Sequence, residues 1–180
     1  MKNLAIKNFA PIGQVSVEFG DLTLLVGAQG TGKSLVLQWL KTALDGKYIV
    51  AALREAGQDV SKADALVDLI FGVGMGEAWA KDTTISFNQR PIRPSTIGKL
   101  GTGIERVFFI PAHRAMLISD GWAAPFQKLT AEVPVVARLF SQNLFNRFSA
   151  RGDKLFPLAR VLKKVYRDLI DGAVFHGGKV

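Results

Sequence analysis

Apolar and polar residues alternate in a short stretch near the start of the chain. Residues 14–19, "QVSVEF", have the period of two that predicts a half-buried strand, residues 3–8 read as a short strand before it, and "APIG" between them is a turn signal. "DLTLLVG" (21–27) predicts a third strand; its apolar run is nearly continuous, the pattern of a strand buried on both faces. A helix over "SLVLQWLKTALDG" follows, with Leu35, Leu37, Leu40 and Leu44 near helical spacing and Gly46 as its stop. Residues 52–71 also read as helix through Leu53, Val60, Leu66, Leu69 and Ile70, and Gly57 is where it can break into two.

"FGVGMGE" (71–77) reads as an ordinary flexible loop, since a lone G-x-G-x-G after a helix is a weak phosphate signal. "TTISFN" alternates as a strand does, and the prolines of "QRPIRPST" keep that strand from continuing. "ERVFFIPAHR" is a second strongly apolar strand, ended by Pro111. From Ala123 onward the pattern is mainly helical. Phe140, Leu144 and Phe148 share one face, as do Leu158, Leu162, Val165 and Leu169, and such stripes are read as packing. "AVFHGGKV" looks like a strand that has only begun.

Composition narrows the class. The chain has 180 residues, 48% of them hydrophobic and 21% charged, the balance of a folded domain with a sizeable core. It has no cysteine, which excludes disulfides and thiolate metal sites, and its two histidines are too few for a histidine-based zinc site without carboxylates. No apolar run approaches a membrane span or a signal peptide, so the expected location is the cytoplasm. The net charge of +8 is uneven: residues 1–90 hold nine basic and nine acidic side chains, and residues 91–180 hold fourteen and six. Arg147, Arg151, Lys163, Lys164 and Arg167 form a candidate nucleic-acid surface within the basic run Arg138–Arg167, whose one acid is Asp153. A solvated helical face is the plainer account of the same charges.

The sharpest chemistry is Gly27-Ala28-Gln29-Gly30-Thr31-Gly32-Lys33-Ser34, a full G-x-x-x-x-G-K-[ST] between a predicted strand and a predicted helix. Its glycines let the backbone turn its N–H groups inward with no side chain in the way. The helix that follows adds the positive end of its dipole. In that geometry Lys33 meets the β- and γ-phosphates of ATP and the Ser34 hydroxyl meets Mg²⁺.

"LAIKNFAPIGQVSVEFGDLTLLVGAQGTGKS" resembles the N-terminus of the ABC-type ATPases of the RecF, SMC and OLD nuclease groups, and "VFFIPAHR" is similar to a strand-plus-Pro-Ala-x-Arg segment of the AAA-labelled, OLD-like branch. The resemblance implies a P-loop NTPase of α/β class. Its sheet would be partly parallel with an N-terminal antiparallel hairpin, a core over residues 1–122 and a mainly helical basic lobe over 123–180. It also implies ATP and Mg²⁺ as ligands, DNA as an associated partner in repair or phage defence, and a homodimer as one arrangement. A glutamine that reaches the metal and the attacking water has two counterparts here, Gln89 and the neighbourhood of His113.

Two elements of such an ATPase are missing from the sequence: an apolar strand ending in Asp-Glu, and a signature segment that grips the γ-phosphate across a dimer. Asp68 falls in a helical pattern, and Asp120 follows a serine. The expectation is the N-terminal half of an ABC-type ATPase, poorly active until completed by a C-terminal half in cis or in trans. The alternatives are a small P-loop kinase of a metabolite or nucleotide, and a non-hydrolysing nucleotide-gated binding module. In every case the catalytic group is unassigned.

Overall fold

The computed structural model describes residues 2–111 and 134–149. The chain divides into two compact units, Met1–Asn143 and Leu144–Val180. Within the first lies a mixed α/β arrangement built on one four-stranded sheet of order β2-β1-β3-β4. Strands β1 (Lys2–Phe9) and β2 (Ile12–Phe19) are the two strands expected at the N-terminus. Strand β3 (Trp79–Phe87) contains "TTISF" and pairs with the other side of β1, while β4 (Arg90–Ile92) is a short edge strand.

Every pairing is antiparallel. The register puts Leu4 opposite Val17 and Phe87, and Ile6 opposite Val15 and Ile85, so one face collects the apolar positions. The turn from β3 to β4 is made by Asn88 and Gln89, both at positive φ (49° and 64°), as a two-residue hairpin turn matched to strand twist requires. Proline did not end strand formation at this point. Pro91 sits on the edge strand, where a missing N–H leaves no ladder bond unmade.

Helix α1 (Lys33–Glu55) and helix α2 (Ala63–Phe71) cover the apolar face, with a 3₁₀ helix at Pro94–Lys99 packed against α1. The core is centred on four rings, one from each of β1, α1, α2 and β3. Trp39 lies 5.3 Å from Phe9 edge-on, 4.3 Å from Phe71 and 5.8 Å from Trp79. A third helix, α3 (Val135–Ser149), buries Val135, Val136, Leu139 and Phe140.

Four expectations need correction. Gly46 does not stop α1. The helix bends at Asp45 (φ −126°, ψ 17°) and resumes, because the Lys47 N–H finds the Leu100 carbonyl at 2.7 Å outside the helix. The second predicted helix does break at Gly57 (φ +77°), as expected, but its first part is the end of α1 and Val60 lies outside both α1 and α2.

The third correction concerns the sheet: among the described residues it is antiparallel throughout, with no parallel pairing. Residues 22–26 and 106–110, the two most apolar predicted strands, pair with no described strand. Leu22, Leu24 and Val26 are 80%, 76% and 90% exposed. Apolar continuity marks what a segment could bury; burial itself needs strands on both sides. The fourth is Arg138, which belongs to no solvated face: at 6% exposure it is buried by the first turns of α3.

Candidate phosphate site

Helix α1 starts at Lys33, directly after a left-handed Gly32 (φ +87°), and no side chain caps it. Its first backbone bond runs from the Val36 N–H to the Gly32 carbonyl at 3.0 Å. The N–H groups of Lys33, Ser34 and Leu35 therefore precede the helical ladder. The first turn carries no acidic residue, so the positive end of the helix is not neutralised locally. These are the local requirements of an anion cradle, met by backbone alone.

Gly32 is required by space as well as by φ. A Cβ there would stand 2.5 Å from Ile12 Cγ1, so the β1–β2 turn presses directly on the loop. That contact explains why a hairpin precedes the loop in this chain: the turn Ala10–Pro11 and Ile12 at the head of β2 form a wall behind it. A cavity of about 510 Å³ opens between this wall and the loop, lined by Pro11, Ile12, Val15, Leu25, Thr31 and Lys33 among others. Sequence reasoning did not anticipate the hairpin's part in this cavity, since no periodic pattern reports which turn abuts which loop.

Lys33 folds back over the loop. Its Nζ donates to the Gly27 carbonyl at 2.9 Å, to the Ala28 carbonyl, and to Thr31 Oγ1 at 3.3 Å. Thr31 Oγ1 in turn donates to the Ala28 carbonyl at 2.9 Å. The ammonium thus rests on weak neutral acceptors and, among the described residues, holds no carboxylate, leaving its charge available to a stronger anionic partner. Gly27–Thr31 and Ser34 are exposed, and the Ser34 hydroxyl stands at the start of the helix facing solvent. Among the described residues, no group of three or more His, Asp or Glu side chains could hold a metal. The unladdered N–H groups and the Lys33 ammonium fit a phosphate, and the exposed Ser34 hydroxyl is a group that could ligate a metal bound with it.

The other predicted residues fall elsewhere. Gln89 lies in the exposed turn after β3, where Asn88 bonds to Asn3 at the start of β1. The phosphate loop abuts the opposite end of β1, a strand of eight residues, or about 25 Å at 3.3 Å per residue. The structure does not bring Gln89 to the loop. Asp68 lies in α2, where its Oδ1 accepts the Gly76 N–H at 2.7 Å and fastens "FGVGMGE" to the helix. His113, Asp120, Arg151, Lys163, Lys164 and Arg167 lie outside the described residues, and of Arg147 only the backbone, in α3, is described.

One buried polar cluster escaped the sequence. Lys41 is 1% exposed, and its Nζ donates to Asp45 Oδ2 (3.1 Å), Glu105 Oε1 (2.7 Å) and the Val107 carbonyl (2.6 Å). Asp45, fully buried, accepts the N–H groups of Arg106 (2.9 Å) and Val107 (2.8 Å). Asn143 donates to the remaining Glu105 oxygen at 2.7 Å. The cluster fixes residues 105–107 to the kink of α1. Its only local signal was the i, i+4 spacing of Lys41 and Asp45, which surface helices share. The Tyr48 hydroxyl beside it has its pKa raised, by burial first and then by the charge of Glu105.

Comparison with known proteins gives one match. The family model described as AAA domain matches residues 3–99, a span from β1 through the 3₁₀ helix that includes the phosphate loop. No curated protein and no solved structure matches the chain. Among the described residues no helix is long and apolar enough to cross a membrane.

Proposed function

The chain belongs to the AAA domain family, a nucleotide-binding ATPase-like class, and from that premise we propose that it binds ATP with Mg²⁺ at Gly27–Ser34. The observation that carries this reading is the loop itself: an uncapped helix start, three backbone N–H groups free of the ladder, and a lysine resting on neutral acceptors. On this reading the Lys33 ammonium exchanges the Gly27 and Ala28 carbonyls for the β- and γ-phosphates, a charge-assisted bond roughly twice as strong as a neutral one. The backbone of Gly30–Ser34 orients the phosphates, and the Ser34 hydroxyl ligates the metal. Bound Mg²⁺ supplies neutralisation of phosphate charge.

The finer reading is the N-terminal half of an OLD- or RecF-like ABC-type ATPase associated with DNA, completed by a second half in cis or in trans. It is supported by the hairpin ahead of the loop and by the two apolar segments, 22–26 and 106–110, that find no partner among the described strands. Hydrolysis then requires a carboxylate and a facing charge from that second half. Removing a single charge-stabilising group of this kind costs on the order of 10³-fold in rate or more.

The test is thermal denaturation with and without Mg-ATP. At 100 times its dissociation constant a ligand specific for the folded state adds about 2.7 kcal/mol. Lys33→Ala should abolish most of the resulting rise in melting temperature. A mutant that responds as the parent does would place the site elsewhere. Phosphate release by the chain alone should stay near background, and robust Lys33-dependent turnover would refute the half-site reading.

A further inference from the structure

A second cavity, of about 580 Å³, lies against the kink of α1 and is lined by Arg90, Lys99 and Arg106 with Phe87, Asn88 and Leu100. Among the described residues no carboxylate lines it. Among the described residues, the ion pairs run from Lys41 to Asp45 and to Glu105 and engage none of these three cations. Three like charges around one hollow repel one another in the free protein, and an anion placed among them relieves that repulsion.

The hollow is rigidly built. Arg90 opens β4 and is held opposite Phe87 by the hairpin turn. Lys99 ends the 3₁₀ helix, whose next residue, Leu100, accepts the Lys47 N–H at 2.7 Å. Gly101, at φ +78°, brings the chain so close to α1 that a Cβ would stand on the Leu44 carbonyl. The backbone of Arg106 is pinned by Asp45 Oδ1 at 2.9 Å. Each cation therefore leaves a fixed point of backbone, and the ordering left when a ligand arrives is that of the three side chains.

We propose that this cavity is an anion site, separate from the phosphate loop, that takes a phosphate-bearing ligand. Its chemistry is that of nucleotide phosphates: three cations for phosphate oxygens, an aromatic ring at Phe87 and an amide at Asn88. The size falls within the range of about 300–1,000 Å³ that ligand sites occupy. The phosphates can come from a nucleic-acid strand or from a free nucleotide, and the two are told apart by experiment. The site does not depend on ATP binding at Gly27–Ser34.

The test uses the full chain carrying Lys33→Ala, so that the phosphate loop contributes nothing to the readout. A labelled single-stranded oligonucleotide and inorganic tripolyphosphate are the two probes, titrated at about 50 and 200 mM salt. Three phosphate contacts to a single strand predict a salt slope of roughly −2, or a loss of about twentyfold between those salts. Arg90→Gln, Lys99→Gln and Arg106→Gln together should weaken binding at about 50 mM salt and remove that part of the salt slope. Because these residues are exposed, the triple variant should melt with the parent, and each single variant should show a part of the loss. Oligonucleotide binding sensitive to the three substitutions supports a nucleic-acid strand. Sensitive binding of tripolyphosphate alone supports a free nucleotide. Failure of both probes to bind, or binding that the substitutions leave unchanged, overturns the proposal.

Discussion

Lys41→Met tests the buried cluster that joins helix α1 to residues 105–107. All three ammonium protons of Lys41 are used, by Asp45, Glu105 and the Val107 carbonyl. Methionine fills a similar volume and leaves all three acceptors without that donor. Asp45 would keep the Arg106 and Val107 N–H groups, but its charge, fully buried, would face Glu105 with no cation between them. Removing one partner of such a pair costs about 3–5 kcal/mol. For a chain of this length 1 kcal/mol corresponds to roughly 2–4 °C, so melting should fall by about 6–20 °C. Urea unfolding followed by the fluorescence of buried Trp39 should show a lower midpoint with the slope unchanged.

Glu105→Gln is the comparison. Glu105 is 20% exposed, and a glutamine oxygen can still accept from Lys41 or Asn143, so its cost should stay near 1 kcal/mol. A Lys41→Met protein within about 1 kcal/mol of the parent would refute the reasoning, because the ammonium would then not be buried between the two carboxylates.

Two further outcomes follow from exposure and burial. The Tyr48 pKa lies above its ordinary value in the folded chain, so its contribution to stability is complete below the unfolded value near 10 and is lost as pH rises through the folded value. Tyr48→Phe should remove that part of the alkaline loss, measured as the difference between unfolding free energies at pH 9 and pH 11; an unchanged difference would exclude a perturbed Tyr48. Leu24→Lys should alter the unfolding free energy of the chain by no more than about 0.5 kcal/mol, since Leu24 is 76% exposed. The same substitution should reduce self-association in sedimentation, and a loss of several kcal/mol would mean that residues 22–26 are buried.

The sequence by itself determined the elements whose cause is local. The N-terminal hairpin follows from two short strand-like stretches around a turn, the second of them alternating, and the register of β1 and β2 sets Leu4 and Ile6 opposite Val17 and Val15. The conformation of the loop 27–32 follows from glycine positions and from a helix that begins where the glycines end. Both depend on neighbours within a few residues, which is the range over which periodicity and turn chemistry act.

Tertiary structure decided what depends on distant partners. Gly46 reads as a stop, yet α1 continues because Leu100, 53 positions after Lys47, supplies the missing acceptor. Pro91 reads as a breaker, yet it forms an edge strand because only one side of β4 has a partner. "LTLLVG" reads as buried, yet Leu22, Leu24 and Val26 are exposed, with no described strand beside them. Lys41, Asp45 and Glu105, and likewise Arg90, Lys99 and Arg106, are scattered charges in the sequence. A burial partner or a shared hollow exists only once the kink of α1, the hairpin turn and the 3₁₀ helix have packed together, because charge interaction depends on distance and dielectric, and neither is written in the order of residues.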